Sequence, residues 1–210
     1  MDSTVVDSPQ KSQTTDDWAP VKQYYNDCAE FIESDAKAMG WSSAFTQALR
    51  FDMIDYLVGF TNQSVLDVGC GDAGLWHYLN KKNIACDYRG VDISTKMVQR
   101  AQARYPGIAV RSANMLDIQD GADIVVCSGG LSMVPETNAM AFLEQALTHL
   151  FGLAQQTLVF NVLSTHAPAK SSKFQRYNPV DVMQFCFTLT PYVSVHHGYL
   201  PNDFTVLLTK

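Results

Sequence analysis

The chain has 210 residues, 47% of them hydrophobic, with 21 acidic against 15 basic side chains and a formal charge of −6. That length supports one α/β domain with a full core, while the acidic balance and the lack of a long basic stretch argue against nucleic acid as a partner. No apolar run approaches the roughly 20 residues that span a bilayer, the first residues lack the pattern of a signal peptide, and five scattered cysteines suit reduced thiols in a cytoplasm, with no metal constellation.

Residues 1–16 are rich in Ser, Thr, Asp and Gln with little apolar content, and they read as a disordered leader. Over 18–39 Tyr24, Tyr25, Cys28, Phe31 and Ile32 recur at helical spacing, and Gly40 stands where the helix would close. Ser42 or Ser43 suits the cap of a second helix through Val58, with Phe45, Leu49, Ile54 and Leu57 facing inward. Residues 17–60 are therefore expected to form a helical extension over one edge of a sheet, with 61–210 as the main domain. Arg50 is the lone cation of the second helix. Its planar guanidinium suits a ligand carboxylate; the competing reading is a surface pair with Asp52 or Asp55.

A short apolar run, Ser64–Val68, then meets Gly69, Gly71 and Gly74 in G-x-G-x-x-G spacing, and an amphipathic segment over about 74–80 opens directly behind. This pattern predicts a buried strand feeding a helix through a tight turn. Gly69 reaches backbone angles closed to other residues. Gly71, next to Cys70, lets a ligand approach the main chain, and Gly74 lets the helix pack close to the strand. The helix start then offers unpaired N–H groups to an electron-rich ligand.

Those glycines alone also fit a dinucleotide. Asp67, two residues before Gly69, separates the two cases, because a fixed carboxylate opposes a pyrophosphate and attracts a ligand carrying positive charge. With that acid the stretch resembles the first motif of the class I S-adenosylmethionine-dependent methyltransferases, [D/E]-x-G-x-G-x-G. Asp67, Gly69 and Gly71 match it, with Ala73 at the relaxed third glycine. The resemblance covers about residues 60–210. It implies S-adenosylmethionine as methyl donor, S-adenosylhomocysteine as product, and an α/β fold whose doubly wound, mostly parallel seven-stranded sheet ends in an antiparallel hairpin.

Downstream, strands and helices alternate as such a sheet requires. Strand two is Asp87–Asp92, followed by Ile93 and by Ser94 as the cap of a helix that stops at Pro106 and Gly107. Asp92 at the strand end suits the two ribose hydroxyls of an adenosyl ligand; its alternative role is an acid at a helix start. Strand three (108–112) and strand four (123–127) lie only about ten residues apart, too few for a full crossover helix. A turn is expected there, or shifted strand boundaries.

The resemblance places Asn114 at the adenine, with the Met115 N–H reaching a ring nitrogen and its side chain on the purine face; otherwise the pair is a loop with one core methionine. Ser128, Gly129, Gly130 and Leu131 occupy the family's fourth motif, where enzymes acting on DNA base amines carry Pro-Pro-aromatic instead. The small residues suggest a close approach of cofactor to backbone.

A helix over about 136–151, closed by Gly152, leads to strand five at 157–162. The polar segment 164–178 holds His166, Lys170, Lys173 and Arg176, read either as a lid that meets an anionic acceptor or as a solvated loop. A short helix at 179–187 follows. The chain ends in two β-rich runs across the turn Pro201-Asn202-Asp203.

Methyl transfer needs a base only when the acceptor holds its proton firmly. His166, His196 and His197 are the candidates, and His166 is preferred because its loop faces the active-site end of the sheet. Tyr24, Tyr25 and Trp41 suit either an aromatic wall around a sulfonium or ordinary core. The short cover over the site favours a small-molecule acceptor. Two other readings share the glycines: a nucleotide-dependent oxidoreductase, and a protein that binds the methyl donor without catalysis. The chain carries no signature of oligomeric state.

Overall fold

Seven strands rich in β-branched residues form one sheet in the order β3-β2-β1-β4-β5-β7-β6. The computed structural model describes residues 18–30, 44–134, 138–167 and 173–210. The expected leader, Phe31, Ile32, Gly40, Trp41, the Ser42 or Ser43 cap, the helix start at 136 and Lys170 lie outside the described residues.

Strands β1 (Ser64–Val68), β2 (Asp87–Asp92), β3 (Val110–Ser112), β4 (Ala122–Ser128) and β5 (Ala154–Leu163) run parallel. β6 (Val193–Leu200) and β7 (Asp203–Thr209) form the hairpin, and β7 lies antiparallel between β5 and β6. The order reverses between β1 and β4, which opens a crevice at the carboxyl ends of the strands.

Helices cover both faces. On one, α2 (Ala44–Val58), α3 (Gly74–Lys81) and α4 (Thr95–Arg104) enclose Phe51, Ile54, Val65, Leu75, Leu79, Val98 and Val126. On the other, α1 (Ala19–Glu30), α5 (Ala139–Leu153) and α6 (Pro179–Leu189) enclose Val21, Leu66, Phe142, Leu147, Phe160, Val182 and Phe204. Each fully buried aliphatic or aromatic side chain contributes roughly 1.5–3 kcal/mol, so these two layers dominate the stability.

Several expectations shift. The two N-terminal helices do not share one sheet edge. α1 packs against α4, whereas α2 lies across β5, β6 and β7. The inward face of α2 is rotated: Phe45 is 68% exposed, and Arg50, Phe51 and Ile54 are buried. Gly152 does not stop α5, which runs to Leu153 and passes directly into β5. Between β3 and β4 the chain makes only the 3-10 turn Met115–Asp117, capped by the Asn114 side chain. Ile118, fully buried, fills the space there within the core of the α5 face.

Candidate functional site

The strand β1 ends in a turn of three left-handed residues: Gly69 at φ 74°, Gly71 at φ 56° and Ala73 at φ 66°. Only glycine takes such angles without strain, so Ala73 is held there by its surroundings. The Gly69 and Cys70 N–H groups both donate to the Val91 carbonyl, at 2.8 and 3.1 Å. Asp92 completes the link between the β1 and β2 ends, accepting from the Gly71 N–H and the Ser94 N–H at 2.8 Å each. Burial raises its pKa, and the two backbone donors oppose that rise.

Asp67 is 2% exposed. Its carboxyl accepts from the Tyr88 hydroxyl at 2.7 Å, and burial pushes its pKa up to about 7, with Asp92 adding to the rise. Two buried acids thus stand side by side at the crevice without a cation to neutralise them among the described residues. A third buried acid, Asp72, instead pairs with Arg100 and Arg104, each at 3.4 Å.

A cavity of about 260 Å³ opens here. Asp67, Gly69, Cys70 and Gly71 form one part of its wall, Asp92, Ile93, Asn114 and Met115 another, and Ser128 and Arg50 lie beyond them. The Asn114 side-chain oxygen accepts from the Leu116 N–H at 3.0 Å, which fixes the turn that carries Met115. Ser128 accepts from the Asn161 amide at 3.2 Å and keeps its own proton to donate. Cys70 and Cys127 are buried with thiol pKa values pushed up by burial, so both are packing residues.

Two glycines meet other neighbours than expected. A Cβ on Gly69 would stand 3.1 Å from the Gly130 Cα, and one on Gly130 only 3.4 Å from the Val68 carbonyl oxygen. The small residues after β4 therefore let two loops touch backbone to backbone. Gly74 makes room for α2 rather than for the strand, since a Cβ there would stand 2.9 Å from the Gln47 side chain.

Arg50 is 4% exposed, and neither Asp52 nor Asp55 is its partner. Those two acids bind Lys82. The Arg50 Nε and Nη2 donate to Asp203 at 2.9 and 2.6 Å, and Nη1 donates to the Thr46 carbonyl at 3.2 Å. Asp203 also accepts from Tyr199, and Arg50 opposes the upward push of burial on its pKa.

His166, expected to supply a base, is exposed and does not line the cavity. Its ring stands edge-on to His197 at 5.9 Å, and His197 stacks on Phe204. Of the expected aromatics Tyr25 lines the cavity, its hydroxyl kept protonated by burial, while Tyr24 packs behind it with ring centroids 5.2 Å apart.

The sequence reading missed Trp18, Gln47, Phe174, Asn202 and Asp203 in the lining. Trp18 reads only as the first residue of the helical stretch over 18–39, and Asn202 and Asp203 read as turn residues. Among the described residues no group of His, Cys, Asp and Glu could hold a metal, and no helix is long and apolar enough to cross a membrane.

Residues 65–151 match the family model described as a methyltransferase domain. A Mycobacterium tuberculosis protein that bears the name of a methyltransferase is 29% identical over 156 residues, spanning 70% of this chain and 93% of its own. Among solved structures, the magnesium protoporphyrin IX methyltransferase of Synechocystis PCC 6803 superposes with a TM-score of 0.65 at 18% identity, over 96% of this chain and 100% of that one. A SAM-dependent methyltransferase from Archaeoglobus fulgidus gives 0.63 at 14% identity, over 82% and 96%.

Proposed function

We propose that this chain, which belongs to the class I S-adenosylmethionine-dependent methyltransferases, moves a methyl group onto an O, N or C nucleophile of a small molecule. The observation that carries the reading is the pair of buried acids, Asp67 and Asp92, flanking a left-handed glycine turn inside one cavity. Two carboxyls held in a low-dielectric wall suit a donor that carries an ammonium and a sulfonium, and they oppose a pyrophosphate.

The donor supplies a methyl group on positively charged sulfur, which is an intrinsically good leaving group. Asp92, its orientation fixed by two backbone N–H groups, retains lone pairs to accept from the ribose hydroxyls. Asp67 offers a carboxylate to the donor's cationic end, while Asn114, Met115 and Ile93 take the base. Gly69, Cys70 and Gly71 leave the main chain open to close approach, and Ser128 borders the neighbouring part of the cavity.

The described chain then has one task, to align acceptor, methyl carbon and sulfur while excluding water. Trp18 just before α1, Val21 and Tyr25 of α1, and Gln47, Arg50 and Phe51 of α2 line the cavity from the N-terminal side, which supports a small acceptor rather than a folded one. His166 is exposed and is not part of this wall, and no side chain is assigned as base. Five free thiols support a cytoplasmic setting.

A tritiated-methyl transfer assay against a metabolite panel tests the proposal. Label moving to a small molecule in a time- and enzyme-dependent way supports it. Tight S-adenosylhomocysteine binding with no transfer to any member would favour a non-catalytic binder.

A further inference from the structure

We infer that Arg176 anchors a carboxylate on the methyl acceptor, so that the acceptor class is a small carboxylic acid with an apolar or aromatic body; this rests on the methyltransferase reading above. Arg176 is half-buried in the cavity wall, yet among the described residues it forms no ion pair. The other arginine of the cavity, Arg50, has its charge matched by Asp203. A half-buried guanidinium with no counter-charge is costly, and it is conspicuous in a chain of net charge −6. Five N–H donors and no acceptor make it a receptor for a planar anion.

The segment that carries it is not a loose loop. Gln175 donates its N–H to the Ser132 carbonyl at 2.6 Å, and Tyr177 donates to the Leu163 carbonyl at 2.8 Å. The buried Tyr177 hydroxyl reaches the Leu131 carbonyl at 3.0 Å. One arm of the Arg176 guanidinium is tied to the Ser164 carbonyl. Arg176 is thus pinned to the loops after β4 and β5, which aims its remaining donors from a fixed base.

Charge in the cavity is accordingly divided. Asp67 and Asp92 sit at the ends of β1 and β2, where the cationic donor is proposed to lie, and Arg176 sits at the ends of β4 and β5, the side left for the acceptor. Phe174 lines the wall two residues away, with Tyr24 edge-on behind it at 6.2 Å, so an apolar body next to the carboxylate has aromatic surface to cover it.

The test titrates S-adenosylhomocysteine-saturated protein with benzoate, phenyl phosphate and the neutral benzamide, by calorimetry. The wild type is expected to bind benzoate at least about tenfold tighter than benzamide. Arg176→Met should erase that preference, and Arg176→Lys should keep part of it, with S-adenosylhomocysteine affinity within about twofold of wild type in both.

Equal binding of benzoate and benzamide by the wild type overturns the inference without reference to any variant. Tighter binding of phenyl phosphate than benzoate overturns the carboxylate assignment. A parallel loss of S-adenosylhomocysteine affinity in Arg176→Met means that Arg176 serves the donor, and also overturns it. Failure of the wild type to bind S-adenosylhomocysteine at all is the separate result that refutes the methyltransferase reading itself.

Discussion

Asp67→Asn should stabilise the protein at neutral pH while weakening donor binding. The carboxyl is buried and ionises at about 7 instead of the ordinary 3.8, chiefly because burial penalises its charge. Between those two values the folded chain holds a proton that the unfolded chain has released. Stability therefore falls as pH rises from about 4 to about 7, and the deficit is complete above that.

A gap of about 3 pH units at 1.36 kcal/mol each sets a ceiling of about 4 kcal/mol. The effective dielectric at a protein site is higher than that of a dry interior, which leaves about 1–2 kcal/mol. Asparagine carries no charge and can still accept from the Tyr88 hydroxyl, so the native hydrogen bond survives. For a chain of this size the variant should melt about 2–8 °C above wild type at pH 8 and level with it at pH 4.

Calorimetric melting across that pH range reads the effect directly. Titration with S-adenosylhomocysteine at pH 8 should show about tenfold weaker binding in the variant. At pH 5.5, where wild-type Asp67 is itself protonated, the two proteins should bind alike. A variant that melts below wild type at pH 8, or whose offset does not change with pH, refutes the reasoning.

Gly71→Val should abolish S-adenosylhomocysteine binding in a filter assay, because a β-branched residue at φ 56° distorts the turn and fills the approach to the main chain; unchanged affinity would put the site elsewhere. Arg50→Met should cost about 3 kcal/mol in urea unfolding at pH 8, since Asp203 would stay buried without its cation, and progressively less as pH falls, because burial raises the pKa of that carboxyl. His166→Ala should turn over within about threefold of wild type once an acceptor is known, whereas loss of a general base costs about a hundredfold or more. A hundredfold loss would bring His166 back into the mechanism.

Local patterns carried the sheet well. The apolar run before Gly69, the Ser94 cap and the terminal hairpin each announce themselves within a few residues, and the short β3–β4 link was visible as a spacing. The acids at the ends of β1 and β2 were legible for the same reason, because strand ends and their ligands follow from topology.

What local pattern could not reveal was partnership across the chain. From the sequence Arg50 suits either a ligand carboxylate or a surface pair with Asp52 or Asp55, until Asp203, 153 positions away, takes its charge. Phe45 and Arg50 exchange their expected places because the tertiary partner, not the helical period, chose which face of α2 to bury. The sequence pattern sets Gly74 against the strand and Gly130 close to the ligand, yet their neighbours are Gln47 and Gly69 on other elements. Trp18, Phe174 and Asn202 reach the cavity from segments with no common sequence signal, because the carboxyl ends of the strands gather loops from the whole length of the chain.

One cavity, walled by Asp67, Asp92 and the glycine turn, is proposed to hold the methyl donor. Isothermal titration of the wild-type protein with S-adenosylhomocysteine and, separately, with NAD tests it most directly. One saturable site for S-adenosylhomocysteine and no heat with NAD is the predicted result. Saturable NAD binding with none for S-adenosylhomocysteine would contradict the account at its base.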